Sequence, residues 1–158
     1  MKDRMHRYAA YIEWPAHSGE RTRSYDSYSR NHVIRIPGKP EILASSDVVF
    51  RGDDGRHDPE DLLLAAVSSC HMLWFLHLAT EAGVVVAGYS DEATGTMTED
   101  ADGKGRFTDI LLRPRVTVLE KRMIPLAADL HERANRFCFI ANSLSVKVRH
   151  EPEFIVQG

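Results

Sequence analysis

The sequence predicts an α+β protein with mainly antiparallel strands and two central helices. Three observations carry this. Residues 58–83 form a long apolar stretch with a well-signalled helix start, and residues 126–143 have helical spacing. The runs around them alternate apolar and polar side chains between Gly-, Pro- and Asp-rich turns. The order reads β-β-β-α-β-β-α-β, and 158 residues fit a single domain spanning 1–158.

Residues 7–13 read as a first strand that ends before Trp14-Pro15, and residues 16–29 as a polar loop. Residues 32–36 form a second strand stopped by Pro37-Gly38, and residues 41–50 a third. Asp58 can cap the first helix, Pro59 suits its first position, and Glu60 and Asp61 favour the positive end of the helix dipole. Apolar residues then occur all round this helix, which predicts that most of it is inside, and Gly83 is its stop signal. Strands follow at 84–99 and 107–120 across a hairpin loop at 100–105. Pro114 cannot donate to a ladder, which predicts an edge or bulged position. Leu126, Leu130, Ala134, Phe137 and Ala141 form the inner face of the second helix, with a Glu132–Arg136 pair on its polar side. Residues 144–149 alternate as a last strand.

Composition excludes several classes of function. A net charge of −3 gives no electrostatic case for nucleic acid. Residues 62–80 carry no Asp, Glu, Lys or Arg and are long enough to cross a membrane. Ser68, Ser69, His71 and His77 interrupt the run, and the alternating strands need an apolar partner, so a buried helix is the better account. The charged N-terminus is not followed by the apolar stretch of a signal peptide, which points to a cytoplasmic, reducing location. Cys70 and Cys138, 68 positions apart, match no zinc-type spacing.

Cys70 lies in the middle of the apolar helix. A thiolate, not a thiol, is the nucleophile, and apolar burial raises a thiol's pKa, so a reactive Cys70 needs a cation. His71 is about 100° away around the helix axis and His77 is two turns on, so neither is an obvious partner. An Arg stays charged in any environment, and a buried Arg needs a carboxylate. Arg30, Arg35, Arg51 and Arg56 are available upstream with Glu60 at the helix start, and spacing does not choose among them. Glu60 is also accounted for as an ordinary first-turn helix acid.

Asp58-Pro-Glu-Asp-Leu-Leu-Leu-Ala-Ala-Val-Ser-Ser-Cys70-His-Met resembles the central helix motif of the OsmC/Ohr family of thiol peroxidases, with Glu60 ten residues before Cys70. Cys138-Phe-Ile-Ala-Asn142 resembles the family's second motif, and Arg30 corresponds to its arginine. The resemblance implies the OsmC-like fold and a peroxidatic Cys70 whose thiolate Arg30 stabilises, with Glu60 orienting the guanidinium. It further implies that organic hydroperoxides are reduced to alcohols, that Cys138 closes a disulfide on Cys70, and that an external dithiol, a lipoyl-type donor being one option, restores the pair. No bound cofactor or metal is implied, and a homodimer is. The chain departs from the pattern at Phe139, where the family usually has Pro, and in the bulky His71-Met72-Leu73-Trp74 after the cysteine; both bear on pocket shape.

Two other classes fit the residues. A Cys-His hydrolase or acyl-transfer enzyme would pair Cys70 with His32, His131 or His150. A non-catalytic ligand-binding dimer would use both cysteines only for packing.

Overall fold

Polar turns and a capped apolar helix organise the computed structural model, which describes residues 4–14 and 21–158. The first part of the 16–29 loop, residues 16–20, lies outside these. Contacts divide the chain into two compact units, residues 1–62 and 63–158.

In the first unit, β1 (Tyr11–Glu13), β2 (His32–Arg35) and β3 (Ile42–Ala44) form an antiparallel sheet in sequence order. Arg35 on β2 holds Glu13 and Glu41, its neighbours on either side, with one guanidinium. The third strand stops at Ala44 rather than continuing to Phe50. Asp47 accepts the Val49 N–H at 2.8 Å and starts a 3-10 turn over Val48–Phe50. Gly52 follows because a Cβ there would stand 1.5 Å from the Ser46 carbonyl oxygen.

The helix α1 runs over Pro59–Glu81. Asp58 accepts the Asp61 N–H at 2.7 Å, the capping bond expected from its type and position. Gly83 at φ 73° ends the helix, with Gly83 N–H on the Thr80 carbonyl and Val84 N–H on that of Ala79. This paired closure uses the left-handed conformation that glycine adopts at least cost.

The second unit contains β4 (Val86–Asp91), β5 (Thr94–Glu99), β6 (Gly105–Leu112), β7 (Pro114–Val118), α2 (Ile124–Phe137), β8 (Val148–His150) and β9 (Glu153–Val156). Its sheets are ordered β4-β7-β9 and β5-β6-β8. The β4–β7 and β5–β6 pairs are antiparallel, and β8 and β9 join β6 and β7 in parallel. The α+β class and the two helices stand, but each long strand expected at 84–99 and 107–120 is two strands that switch sheets at a corner. A final strand after Pro152 is added. Pro114 is neither at an edge nor in a bulge: it opens β7, the middle strand of its sheet, where its missing N–H interrupts no established ladder.

Asp91 holds the corner. Its carboxylate accepts the Arg113 N–H at 2.7 Å and the Ser68 hydroxyl at 2.5 Å, tying both strand switches to α1. Replacing it leaves a part-buried hydroxyl and a backbone N–H without their acceptor. Asp91→Ala is expected to lower unfolding free energy by about 2–4 kcal/mol, read by urea denaturation; a change under about 0.5 kcal/mol would contradict this role.

The core lies between α2, α1 and the β4-β7-β9 sheet, built on Phe75, Leu78, Val116, Val118 and Leu130; a second cluster joins Val67 to Ile110, Leu112 and Val148. Only one side of α1 is covered. Val67, His71, Phe75, Leu78 and Ala79 are buried, whereas Ala65, Ser69 and Thr80 are exposed and Leu73 is 62% exposed. The expectation that most of the helix lies inside is corrected: an apolar face remains open on this chain.

Candidate active site

Helix α2 determines where the second cysteine sits. Its backbone leaves helical geometry at Cys138, whose N–H still bonds the Ala134 carbonyl at 2.9 Å while ψ opens to 110°. The apolar spacing that suggested a helix to Ser143 continues through a 3-10 turn, Ala141–Ser143. Cys138 is therefore a helix cap, fully buried, with its sulfur accepting the Ala141 N–H at 3.4 Å.

The Cys70 and Cys138 thiols are neighbours, close enough for one to act on the ionisation of the other, and both are free. Burial pushes the Cys138 thiol up to about 11; the adjacent Cys70 adds to this, and the N–H groups of Ala141 and Ile140 oppose it. Cys138 is consequently a thiol at neutral pH. The half-buried Cys70 is the sulfur that a reactant meets first.

An aromatic clasp fixes this pairing. Trp74, one turn after Cys70, stacks on Phe137 at 5.3 Å and meets the edge of Phe139 at 5.5 Å, so both neighbours of Cys138 are held on the α1 face that carries Cys70. Trp74 is thus a positioning residue, as well as the core residue its type suggests. Its i+4 relation to Cys70 and the Phe-Cys-Phe triplet were the available signals. Trp74→Ala is expected to spare oxidation of Cys70 while slowing disulfide closure about ten- to a hundredfold, seen by rapid-quench thiol counting. Equal closure rates in variant and wild type would remove the clasp from the account.

Three histidines of the second unit cluster with one another. His71 Nε2 and His131 Nδ1 share a hydrogen bond of 2.9 Å, Phe75 stacks on His131 at 4.1 Å, and His150 lies against both imidazoles. Burial is the main force that lowers His71 to about 4 and His131 to about 3, with the neighbouring imidazoles adding to it. Among the described residues of the second unit, no hydrogen bond joins His71, His131 or His150 to either sulfur.

Arg30 and Glu60 belong to the first unit. The Arg30 guanidinium donates to the carbonyls of Tyr28 at 2.6 Å and Tyr25 at 2.7 Å and lies over both their rings, 4.0 and 4.5 Å from the centroids. Within this unit it lines a cavity of about 470 Å³ together with Ile12, Trp14, Tyr28 and His32. Glu60 makes no hydrogen bond or ion pair among the described residues, and so is not joined to Arg30 there. The Glu132–Arg136 pair expected on α2 is likewise not formed: Glu132 faces His150 at 3.6 Å and Arg136 lies over the Phe137 ring. No group of three or more His, Cys, Asp or Glu side chains among the described residues is arranged to hold a metal ion.

Residues 52–152 match the family model for OsmC-like protein, a span that includes Glu60, Cys70 and Cys138. The chain belongs to the OsmC-like family. Among solved structures, an OsmC-like protein of unknown function from Vibrio cholerae is 32% identical, with 94% of this chain and all of that one covered and a TM-score of 0.84. An OsmC-like protein from Mycoplasma pneumoniae superposes with a TM-score of 0.72 at 13% identity, covering 95% of this chain and 98% of that one. An organic hydroperoxide resistance protein from Elizabethkingia anophelis gives 0.69 at 18% identity, covering 99% and 100%. These last two share the fold. No match was found among curated protein sequences. Within the OsmC-like family, Phe139 and Trp74 now have a structural role in this chain, since they clasp each other beside the cysteine pair.

Proposed function

We propose that the protein is a thiol-dependent peroxidase that reduces organic hydroperoxides to alcohols. The observation that carries this reading is that the Cys70 and Cys138 thiols are near neighbours, one half-buried and the other fully buried. The Cys70 thiolate attacks the outer peroxide oxygen; the O–O bond breaks, the alkoxide leaves as alcohol after taking a proton, and Cys70 becomes a sulfenic acid. Cys138 then displaces water from that sulfenic acid and forms the Cys70–Cys138 disulfide. An external dithiol, of lipoyl type or otherwise, restores both thiols and leaves as its own disulfide. No bound cofactor takes part.

Arg30 is assigned as the cation that favours the Cys70 thiolate, and Glu60 as the carboxylate that orients it. An arginine keeps its charge in an apolar cavity, and Glu60 has no competing partner among the described residues. A homodimer completes the reading: the open face of α1, with Ala65 and the exposed Leu73, offers apolar surface to a second copy. A reducing cytoplasmic setting and a role in oxidative stress fit two cysteines held as thiols.

The test is consumption of tert-butyl and cumene hydroperoxide by the wild-type protein with dithiothreitol or dihydrolipoate as reductant. Catalytic turnover with at least one pair supports the assignment. Absence of turnover with every pair overturns it.

A further inference from the structure

The cations of the second unit fall into two groups. Lys104, Arg113, Arg115, Arg122 and Arg149 each pair with a carboxylate. Arg106, Lys121, Arg133, Arg136 and Lys147 make no ion pair among the described residues, although the chain as a whole is acidic. Of these, Arg133, Arg136 and Lys147 converge from two elements on one groove of about 510 Å³ between the C-terminal half of α2, the turn at Ala141–Ser143 and the segment leading into β8. Glu132, also on the wall, faces His150. Arg136 in the last turn is accounted for by the helix dipole; Lys147, from a separate segment, is not.

The groove adjoins the redox pair through a single backbone turn. Ala141 and Asn142 line it, and the same two residues hold Cys138: Ala141 N–H bonds the sulfur at 3.4 Å and Asn142 N–H bonds the Cys138 carbonyl at 3.0 Å. We propose that this groove binds the carboxylate of an anionic small-molecule dithiol and so selects the reductant of the Cys70–Cys138 disulfide. The step rests on the peroxidase reading for its place in a catalytic cycle. One thiolate of the reductant attacks one sulfur of the protein disulfide, and the other sulfur leaves as a thiolate and takes a proton. The second thiol of the reductant then displaces the first cysteine. Two electrons pass to the protein, and the reductant leaves as a cyclic disulfide.

The experiment uses a matched pair of reductants that differ in charge alone, dihydrolipoate and dihydrolipoamide. The protein disulfide is formed beforehand with diamide, so that no peroxide chemistry is needed, and its reduction is followed by stopped-flow tryptophan fluorescence. At low ionic strength the acid is expected to react about five- to tenfold faster than the amide, a margin suited to a few exposed charge contacts that 0.5 M salt removes. Arg133→Glu/Arg136→Glu should invert the preference. Arg133→Gln/Lys147→Gln, which keeps the last-turn arginine, should bring it to parity. Equal rates for acid and amide in the wild type, or variants that slow both equally, overturn the proposal. If diamide forms no disulfide, the groove is read by NMR titration with lipoate and lipoamide. Shifts at Ala141 and Asn142 with the acid alone uphold it, and identical responses overturn it. A protein that discriminates the two reductants but consumes no hydroperoxide would retain the groove and lose the peroxidase assignment.

Discussion

Cys70→Ser is expected to reduce hydroperoxide consumption by at least about a thousandfold, a loss of about 4 kcal/mol in transition-state stabilisation. No second nucleophile can replace it. Cys138 is fully buried and stays a thiol at neutral pH because its site raises it to about 11. His71 and His131 are bonded to each other. Cys138→Ser should separate the two half-reactions: Cys70 still consumes one equivalent of hydroperoxide in a burst, and the sulfenic acid then accumulates, trapped by dimedone, because no thiol remains beside it. Steady-state turnover slows to whatever rate the external dithiol reduces the sulfenic acid directly. Full steady-state activity in Cys70→Ser would end the account of this cysteine as the peroxidatic centre. Unchanged steady-state activity in Cys138→Ser would end that of its partner.

Stability is expected to fall steeply as pH drops from about 6.5 to 4. His71 and His131 ionise near 6.5 when the chain is unfolded, but burial holds them at about 4 and about 3 when it is folded. Below 6.5 the unfolded chain therefore binds protons that the folded chain refuses. The stabilisation from the neutral pair is complete above pH 6.5 and is lost progressively as pH falls toward the folded values. At pH 5 each histidine contributes a loss of up to about 2 kcal/mol, so the pair removes several kcal/mol from a domain of ordinary stability. The carboxylates held low by arginine partners, Asp109 and Glu120, act in a lower window, around and below their ordinary values near 4. Urea titrations at pH 7.5, 6 and 5 measure the slope. A free energy that stays level from 7.5 to 5 would show that the imidazoles take up protons without cost.

The helix α1 was legible because its ends are written in side chains: Asp58 and Asp61 make the cap, and Gly83 makes the close. The hairpin at Asp100 was legible for the same reason, its carboxylate accepting the N–H groups of Asp102 and Lys104. What could not be read depends on partners far along the chain. The corners at Asp91 and Arg113 form because one carboxylate reaches α1 and the neighbouring strand at once. Strand β9, Glu153–Val156, exists through its parallel pairing with β7, and parallel partners leave no hairpin signal between them. At the site, the cysteine motifs singled out two sulfurs, and the fold brings those two near one another. The direction of α2 at Cys138 was hidden, since apolar spacing continued through a turn that is not part of the helix. Arg30 was chosen by resemblance, and its cradle of Tyr25 and Tyr28 lies in a polar loop with no periodic pattern to report it.

The two thiols are 68 positions apart in the chain yet already lie near one another. Oxidation would therefore change the unfolded ensemble far more than the folded one. Closing a loop of that length removes chain entropy worth about 4 kcal/mol at 25 °C. The oxidised protein should melt well above the reduced one, by several degrees in a calorimetric scan with and without reductant; coincident melting curves would contradict this. Each catalytic cycle would then carry the protein between a more and a less thermally robust form. Resistance to heat and to proteolysis would report how much hydroperoxide the protein has recently met.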